Sequence, residues 1–304
     1  MIEILKNTKI DFMGKRNYAF ILSGALFLLG MAAIVQIALG RANLGVDFSG
    51  GTAVQIKFAQ HVSLSEIRKT LDEGGLKDFD LQDLPAENKI LIRVKKEEAK
   101  LGGFSEKIIE ALSKRFSDKT PVIDSTTEIG PKVGARLRKD ALWAILMATA
   151  GLLMYVGWRF RFIFGIGATI AALHDVLAVV GLLYIMGREF NLIIVSALLA
   201  IAGYSLTDTV VVFDRIRENM KVRHKEPLET VMNASINEVL PRTVITSLTT
   251  IFAALALFIF GGEVIHDFAL AMIMGIIIGT YSTMFIANPI VLLWGRKKTF
   301  ARRP

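Results

Sequence analysis

The stretch FNLIIVSALLAIAGYSLTDTVVVF, residues 190–213, is predominantly apolar and is followed at once by the charged run DRIREN, residues 214–219. About 20 apolar residues are what an α-helix needs to cross the hydrocarbon core of a bilayer. The stretch therefore predicts a membrane-spanning helix that ends at a water interface. Its one carboxylate, Asp208, lies inside the apolar part, where a charge is costly.

Five further runs of similar length and composition lie elsewhere in the chain. The six predicted spans are residues 18–39, 141–158, 163–186, 190–213, 243–260 and 268–294. We interpret the first as a retained span, because it is longer than the ~7–15 apolar residues of a signal peptide. Hydrophobic residues make up 53% of the 304 residues, yet 21% are charged, mainly between these runs. The sequence thus predicts a polytopic α-helical membrane protein.

Lys and Arg are concentrated in four segments that share one side of the membrane if the spans alternate. The segments are residues 1–17, 159–162, 214–242 and 295–304. The positive-inside rule assigns this side to the cytoplasm. Both termini are then predicted to be cytoplasmic, with residues 214–242 as a cytoplasmic loop and residues 295–304 as a basic tail.

The largest water-exposed segment, residues 40–140, is predicted to be an extracytoplasmic α+β insert between helices 1 and 2. Its pattern predicts strands at 52–58, 78–83, 89–94 and 122–128, and helices at 64–71 and 105–116. Ser63 and Glu66 have the spacing of a capping box before the first of these helices. The order β-α-β-β-α-β is that of the ferredoxin-like fold.

The insert begins with GVDFSGGT, residues 45–52. The residues of interest in this motif are Asp47, Phe48, Ser49, Gly50, Gly51 and Thr52. The Asp and Ser side chains can bond nearby backbone, and the Gly pair permits a sharp turn into the first strand. A hinge between membrane and insert would need the same chemistry, so the residues alone do not separate the two. A phosphate-binding loop is disfavoured, because no Lys-Ser/Thr follows.

Small residues recur at helix-packing spacing in two spans. Gly275 and Gly279 lie one turn apart in the sixth span. In the fourth span, the small residues of one stripe are Ser196, Ala200, Gly203 and Thr207. Such stripes let helix backbones approach closely, so we predict helix contacts at Gly203, Gly275 and Gly279.

Few ionisable residues lie within the apolar runs. They are His174, Asp175 and Asp208, with Arg242 at the start of the fifth span. Asp208 lies roughly 8–9 Å inside its span at 1.5 Å per residue, and Arg242 enters from the same side, so the two can form a pair. The pair is either a static tie or a site where Asp208 exchanges a proton. For Asp175 beside His174, a satisfied contact between helices is favoured over a proton relay.

Other chemistry has little support in the composition. The chain has no Cys, and its four His are scattered without metal-ligand spacing, so we predict no metal site and no cofactor. The net charge of +8 is explained by membrane topology and anionic lipids rather than nucleic acid. We predict that the chain is not an enzyme.

Four blocks of the sequence resemble the SecD/SecF family of the resistance-nodulation-division superfamily. They are GVDFSGGT (45–52), LHDV (173–176), GYSLTDTVVVFDRIREN (203–219) and NEVLPRTVITSLTT (237–250). The resemblance implies a bacterial inner-membrane subunit with a periplasmic insert. It also implies that Asp208 and Arg242 match membrane-embedded charges implicated in proton movement, with Asp175 as a further candidate.

The resemblance further implies a set of partners. These are SecD, the SecYEG channel with other accessory translocase subunits, and unfolded polypeptides exported with the proton-motive force. Two alternatives stay open. One is a half-sized proton-coupled exporter of small molecules or lipids from the same superfamily, and the other is a scaffold whose acids never titrate.

Overall fold

The computed structural model describes residues 8–76, 79–84, 88–94, 103–160 and 162–298. The chain divides into two compact units, one formed by Met1–Asn43 with Trp143–Pro304 and the other by Leu44–Leu142. Parts of the predicted N-terminal segment and basic tail, residues 1–7 and 299–304, lie outside the described residues, as do Asp78 of the predicted second strand and Arg161.

The unit Leu44–Leu142 contains the predicted α+β fold. In chain order, its elements are α2 (Val46–Ser49), β1 (Gly51–Lys57), α3 (Leu64–Glu73), β2 (Phe79–Leu84), β3 (Lys89–Val94), α4 (Phe104–Arg115) and β4 (Val122–Ile129). The four described strands are antiparallel in the order β2-β3-β1-β4. Ser63 accepts a hydrogen bond from the backbone N–H of Glu66, as the capping box predicts. The ferredoxin-like arrangement is thereby confirmed.

The other unit is a bundle of long helices. The elements outside the insert are α1 (Arg16–Ala38), α5 (Pro131–Arg159), α6 (Phe162–Ile185), α7 (Leu192–Val222), α8 (Leu228–Phe260), α9 (Gly262–Ser282) and α10 (Asn288–Lys298). Within the described part of the chain, six helical segments are long and apolar enough to cross a membrane, which confirms the six-helix prediction. The helix α5 begins in the insert unit and continues into the bundle.

The segment predicted as a loop, residues 214–242, is mostly helical. The helix α7 continues to Val222, and α8 begins at Leu228. The charged residues end the apolar run without ending the helix, because Arg, Glu and Lys are good helix formers. The two helices therefore extend past the apolar region as an antiparallel pair.

The sixth predicted span is interrupted between α9 and α10. Residues Thr283–Ala287 form a π-helical turn, which follows from the Pro at position 289 lacking a backbone N–H. The side-chain amide of Asn288 donates to the carbonyl of Thr283 at 2.6 Å and so gives that carbonyl a donor within the irregular turn. Ser282 and Thr283 are both fully buried beside this turn.

The helices α1 and α6 cross at a pair of glycines that the sequence patterns did not identify. A Cβ added at Gly30 would collide with the backbone of Leu177, and one added at Gly181 would lie 2.8 Å from the backbone nitrogen of Gly30. Backbone therefore meets backbone at this crossing.

Candidate functional site

Asp175 lies at the point where α6, α7 and α9 meet. Its side chain is completely buried, with 0% exposed. Its Oδ2 accepts hydrogen bonds from Ser205 Oγ of α7 at 2.5 Å and from Ser282 Oγ of α9 at 2.8 Å. Its Oδ1 lies 3.0 Å from Nδ1 of His174. Both carboxylate oxygens thus have partners, and the group ties three helices together.

Further hydroxyl groups extend this polar centre. Thr209 donates to the carbonyl of Ser205 at 3.1 Å, and its hydroxyl lies 3.0 Å from that of Thr283. Gly279 leaves the space that the centre needs, because an added Cβ would lie 3.2 Å from Cβ of Ser205 and 3.5 Å from Oδ2 of Asp175. The Nε2 atom of His174 is the one buried atom of this group without a hydrogen-bond partner in the described residues.

Asp208 lies one helical turn beyond Ser205 on α7, in a different environment. Its side chain is 9% exposed, and within the described chain its buried Oδ2 has no hydrogen-bond partner. Arg242 acts on it electrostatically, but no nitrogen of Arg242 comes within the 4.0 Å of an ion pair. The side chain of Arg242 is exposed. The structure thus brings the two predicted residues into one region without a direct contact.

Sequence reasoning missed a polar cluster where α7 and α8 continue past the apolar region. Glu238 of α8 accepts from Arg215 Nε at 2.7 Å, from Asn219 Nδ2 at 2.7 Å and from Arg223 at 3.1 Å. Asn219 also donates to Ser235 Oγ at 3.0 Å. The complementary charges were visible in the sequence, but they lay in a segment predicted to be a loop, where helical spacing carries no information.

The segment before α1 is also held by α8. The side-chain amide of Asn237 accepts from the backbone N–H of Ile10 at 2.9 Å and donates to its carbonyl at 2.8 Å. Asn233 accepts from the N–H groups of residues 12 and 13, both at 3.0 Å. The N–H of Gly14 and the side chain of Asn233 donate to the Asp11 carboxylate and lower its pKa.

The side chain of Met13 from this N-terminal segment is fully buried, and that of Phe12 is nearly so. The Phe12 ring lies 5.1 Å from the ring of Phe285. The segment is therefore fixed by apolar packing as well as by the two Asn side chains of α8.

The GVDFSGGT motif forms one helical turn, α2, and the start of β1. Ser49 Oγ donates to the carbonyl of Gly45 at 3.0 Å, and Asp47 also makes an interaction. Gly50 and Gly51 have φ values of 71° and 134°, which side chains with a Cβ rarely adopt. Both glycines are therefore required by the backbone of this turn.

The remaining residues of the motif pack within the insert unit. Phe48 and Thr52 are buried, and Thr52 pairs with Glu128 of β4. A Cβ at Gly134, in the first turns of α5, would lie 3.1 Å from the Gly50 nitrogen. The two chain segments that lead into and out of the insert thus lie against each other. Their role as a hinge stays a prediction.

The predicted packing glycines fall into two groups. Gly275 lies against Ile201 so closely that an added Cβ would collide with that side chain, and Gly279 lies at the Asp175 centre. Gly203 is exposed, and a Cβ there would have no described atom within 4 Å. The other members of its stripe, Ser196, Ala200 and Thr207, are exposed as well.

Comparison with known families matches two regions of the chain, the glycine motif and the C-terminal part. The family model described as "Protein export membrane protein SecD/SecF, C-terminal" matches residues 108–297. The model described as "SecD/SecF GG Motif" matches residues 42–61. The second match coincides with the segment that contains the glycine turn.

Curated relatives match over nearly their whole length. Protein translocase subunit SecF of Thermodesulfovibrio yellowstonii is 58% identical, over 99% of this chain and 100% of the relative. The protein of the same name from Calditerrivibrio nitroreducens is 43% identical, over 96% of each chain.

Solved structures give the same fold. The crystal structure of SecDF, a translocon-associated membrane protein from Thermus thermophilus, matches 96% of this chain with a TM-score of 0.84 and 34% identity. A structure of SecDF in a "super-membrane-facing form" matches with a TM-score of 0.70 at 34% identity. This chain covers 39% and 40% of those two chains, so it spans about two fifths of the SecDF polypeptide.

Proposed function

The chain belongs to the SecD/SecF family of protein-export membrane proteins, and we propose that it assists proton-motive-force-driven translocation of unfolded polypeptides across the bacterial inner membrane. The match over residues 108–297 and the full-length relatives named SecF support this role. In the part of the chain that the structure describes, no feature favours the alternative of a half-sized exporter of small molecules or lipids.

We propose SecD as the partner that completes the bundle, and the SecYEG channel and other accessory translocase subunits as further partners. The support is that related SecDF chains are more than twice as long as this one. The exposed stripe of small residues around Gly203 also lacks a neighbour among the described helices. A helix of the partner would bury this stripe by close backbone approach.

We place both termini and the charged ends of α7 and α8 in the cytoplasm, and the ferredoxin-like insert in the periplasm. The support is the concentration of Lys and Arg in segments on one side of the alternating helices. The insert then lies where an exported polypeptide emerges, with the glycine turn and the start of α5 as its two connections to the bundle.

The observation that carries the mechanism is the buried Asp208 oxygen without a partner, within the field of Arg242 but beyond ion-pair distance. A buried polar atom without a partner costs about 1–3 kcal/mol, and each such atom in a native structure calls for an explanation, of which a functional role is one. The charge state of Asp208 can respond to its distance from Arg242. Proton binding and release would therefore be coupled to movement of α7 against α8.

The energy available is sufficient for such a movement. One charge that crosses the membrane potential yields about 2.3 kcal/mol per 100 mV. A two-state element whose states differ by a few kcal/mol is shifted by this amount. Asp175, whose oxygens all have partners, would hold α6, α7 and α9 together while α8 moves.

The test is export by SecYEG reconstituted with SecD and this chain, with and without an imposed proton gradient. Asp208→Asn keeps the shape of the side chain and removes its ionisation. We expect it to abolish stimulation by the gradient while expression and association with SecD remain normal. The matched control is Asp214→Asn, which removes an acid from the same helix outside the apolar region.

A gradient response in Asp208→Asn equal to that of the unmodified chain would contradict this mechanism. In that case Asp208 is a structural group, and the proton path lies elsewhere. Loss of the response in Asp214→Asn to the same extent would also contradict it, because any acid on α7 would then have the same effect.

A further inference from the structure

The facing surfaces of α7 and α8 carry one line of complementary polar residues. On α7, Asp208, Arg215 and Asn219 follow each other at seven and four residues and so share a helix face. On α8, Arg242 and Glu238 lie four residues apart on the face opposite. Because the helices are antiparallel, the Asp208–Arg242 level and the Arg215–Glu238 level lie in sequence along the same interface.

The two levels differ in whether the charges meet. At the outer level, Arg215 Nε and Glu238 Oε2 are 2.7 Å apart, and Glu238 has two further donors. At the inner level, Asp208 and Arg242 are not in ion-pair contact. The two helices are therefore joined by an ion pair at Glu238, but no ion pair joins them at Arg242, one turn further along α8.

Pro241 lies between these levels. It lies inside α8, where it removes the backbone hydrogen bond to the carbonyl of Asn237 and weakens the helix locally. On one side of it, α8 is fixed to α7 through Glu238 and to the N-terminal segment through Asn233 and Asn237. On the other side is Arg242. The fixed part of α8 thus ends immediately before the residue that acts on Asp208.

We propose that Glu238 is a positioning residue for proton coupling: by fastening α8 to Arg215 and Asn219 of α7, it sets the distance between Arg242 and Asp208. This inference rests on the proposed function. Glu238 also has the i, i+4 spacing at which it can attract Arg242 along α8. Because Glu238 already accepts from Arg215 and Asn219 of α7 and from Arg223 just beyond its end, the Arg242 guanidinium remains available to Asp208.

The test compares Glu238→Gln with Arg159→Gln in the same reconstituted export assay. Arg159 pairs with Asp214 of α7 at 2.9 Å, with side-chain exposures of 44% and 35%. The Arg215–Glu238 pair has similar exposures, 41% and 31%, so each variant disrupts a half-exposed ion pair with α7, and Glu238→Gln also removes the charge opposite Arg223. Only the second pair lies on the line that leads to Asp208.

We expect Glu238→Gln to reduce gradient-dependent stimulation about threefold with gradient-independent export unchanged, whereas Arg159→Gln changes neither. Combination with Arg242→Lys should add little, because both variants act on one distance. If Glu238→Gln accumulates poorly, Glu238→Asp keeps the charge with a shorter side chain and is expected to give a smaller loss of the same kind.

The inference is overturned if export with and without the gradient falls in equal proportion, since a merely structural contact would do this. It is also overturned if Glu238→Gln responds fully to the gradient, or if its effect adds fully to that of Arg242→Lys. Asp208→Asn is measured in parallel. A full response there refutes the proposed function itself, whereas loss there with a full response in Glu238→Gln refutes only the positioning role.

Discussion

Asp175 and Asp208 are two buried acids on neighbouring helices, and they differ in whether their carboxylate oxygens have hydrogen-bond partners. Both carboxylate oxygens of Asp175 have partners, from three helices. Asp208 has a buried oxygen without one. Since a buried polar group normally finds a partner, this difference supports the proposal that Asp208, rather than Asp175, is the acid that exchanges a proton.

The local sequence suggests, in contrast, that Asp208 has hydrogen-bond donors. Asp208 is surrounded by hydroxyl residues, which look like its donors. In the structure, Ser205 donates to Asp175, Thr207 to the carbonyl of Gly203, and Thr209 to the carbonyl of Ser205. The hydroxyl groups of these three residues thus donate to other acceptors, because helix rotation rather than sequence distance decides which atoms meet.

Removal of the two acids should therefore have different effects on stability, and this is the largest effect we expect. Asp175→Ala removes the buried carboxylate that Ser205, Ser282 and His174 all contact, which should cost about 3 kcal/mol or more. Asp208→Ala removes a group that already lacks a partner and should cost far less. Thermal unfolding of the solubilised chain measures both.

Equal losses of stability in the two variants would remove the distinction between them. Asp175→Asn serves as the intermediate case. It keeps the volume and one oxygen for the two hydroxyl donors but places an NH₂ group opposite Nδ1 of His174, so its stability should lie between those of Asp175→Ala and the unmodified chain.

Much of the fold could be predicted from the sequence, because its signals are local. Apolar runs fix the six helices, and alternation fixes the strands of the insert. The extensions of α7 and α8 were missed, because hydropathy falls at the first charged residue whereas the helices continue beyond it. The backbone contact of Gly30 with α6 was missed although the sequence carried a signal for it, since the buried residues of α1 are all small: Ala19, Ser23, Gly30 and Ala33.

The site was predicted only as a set of residue types. Burial of a charge in an apolar run identified Asp175, Asp208 and Arg242. Which of the acids has partners depends on side chains from α7 and α9 that lie far away in the sequence, such as Ser282. No periodicity reports that pairing, so the distinction between the two acids needed the structure.

The glycines of α7 and α9 differ in a similar way, since Gly279 is packed inside this chain and Gly203 is exposed. Their substitution should change stability by an intermediate amount. Gly279→Val forces a side chain against Ser205 and Asp175, and overpacking of this kind costs about 1–3 kcal/mol. Gly203→Val faces open space in this chain, so the stability of the isolated chain should hardly change. Its effect should appear in association with SecD, because the stripe would no longer allow close approach.

Thermal unfolding of the isolated chain and co-purification with SecD separate these two effects. Gly203→Ser is the control for the exposed stripe, since Ser is small enough for close helix contact. Normal association of Gly203→Val with SecD would assign this surface to lipid instead of a partner.

The smallest effect is expected for Arg242→Lys. This variant keeps the positive charge near Asp208 but changes the geometry of the group that carries it. Lys keeps the charge but loses the planar fork that binds a carboxylate with two parallel hydrogen bonds. If Arg242 and Asp208 meet during the cycle, this change should lower gradient-dependent export by a few fold, on the order of 1 kcal/mol, and leave stability unchanged. If they interact only through the field at the distance seen here, Lys should serve as well as Arg. Arg217→Lys, on the charged end of α7, is the matched control. An equal and complete gradient response in both variants would mean that Arg242 and Asp208 never form a direct ion pair. The distinction between Asp175 and Asp208 would then depend only on the hydrogen-bond partners of their buried oxygens.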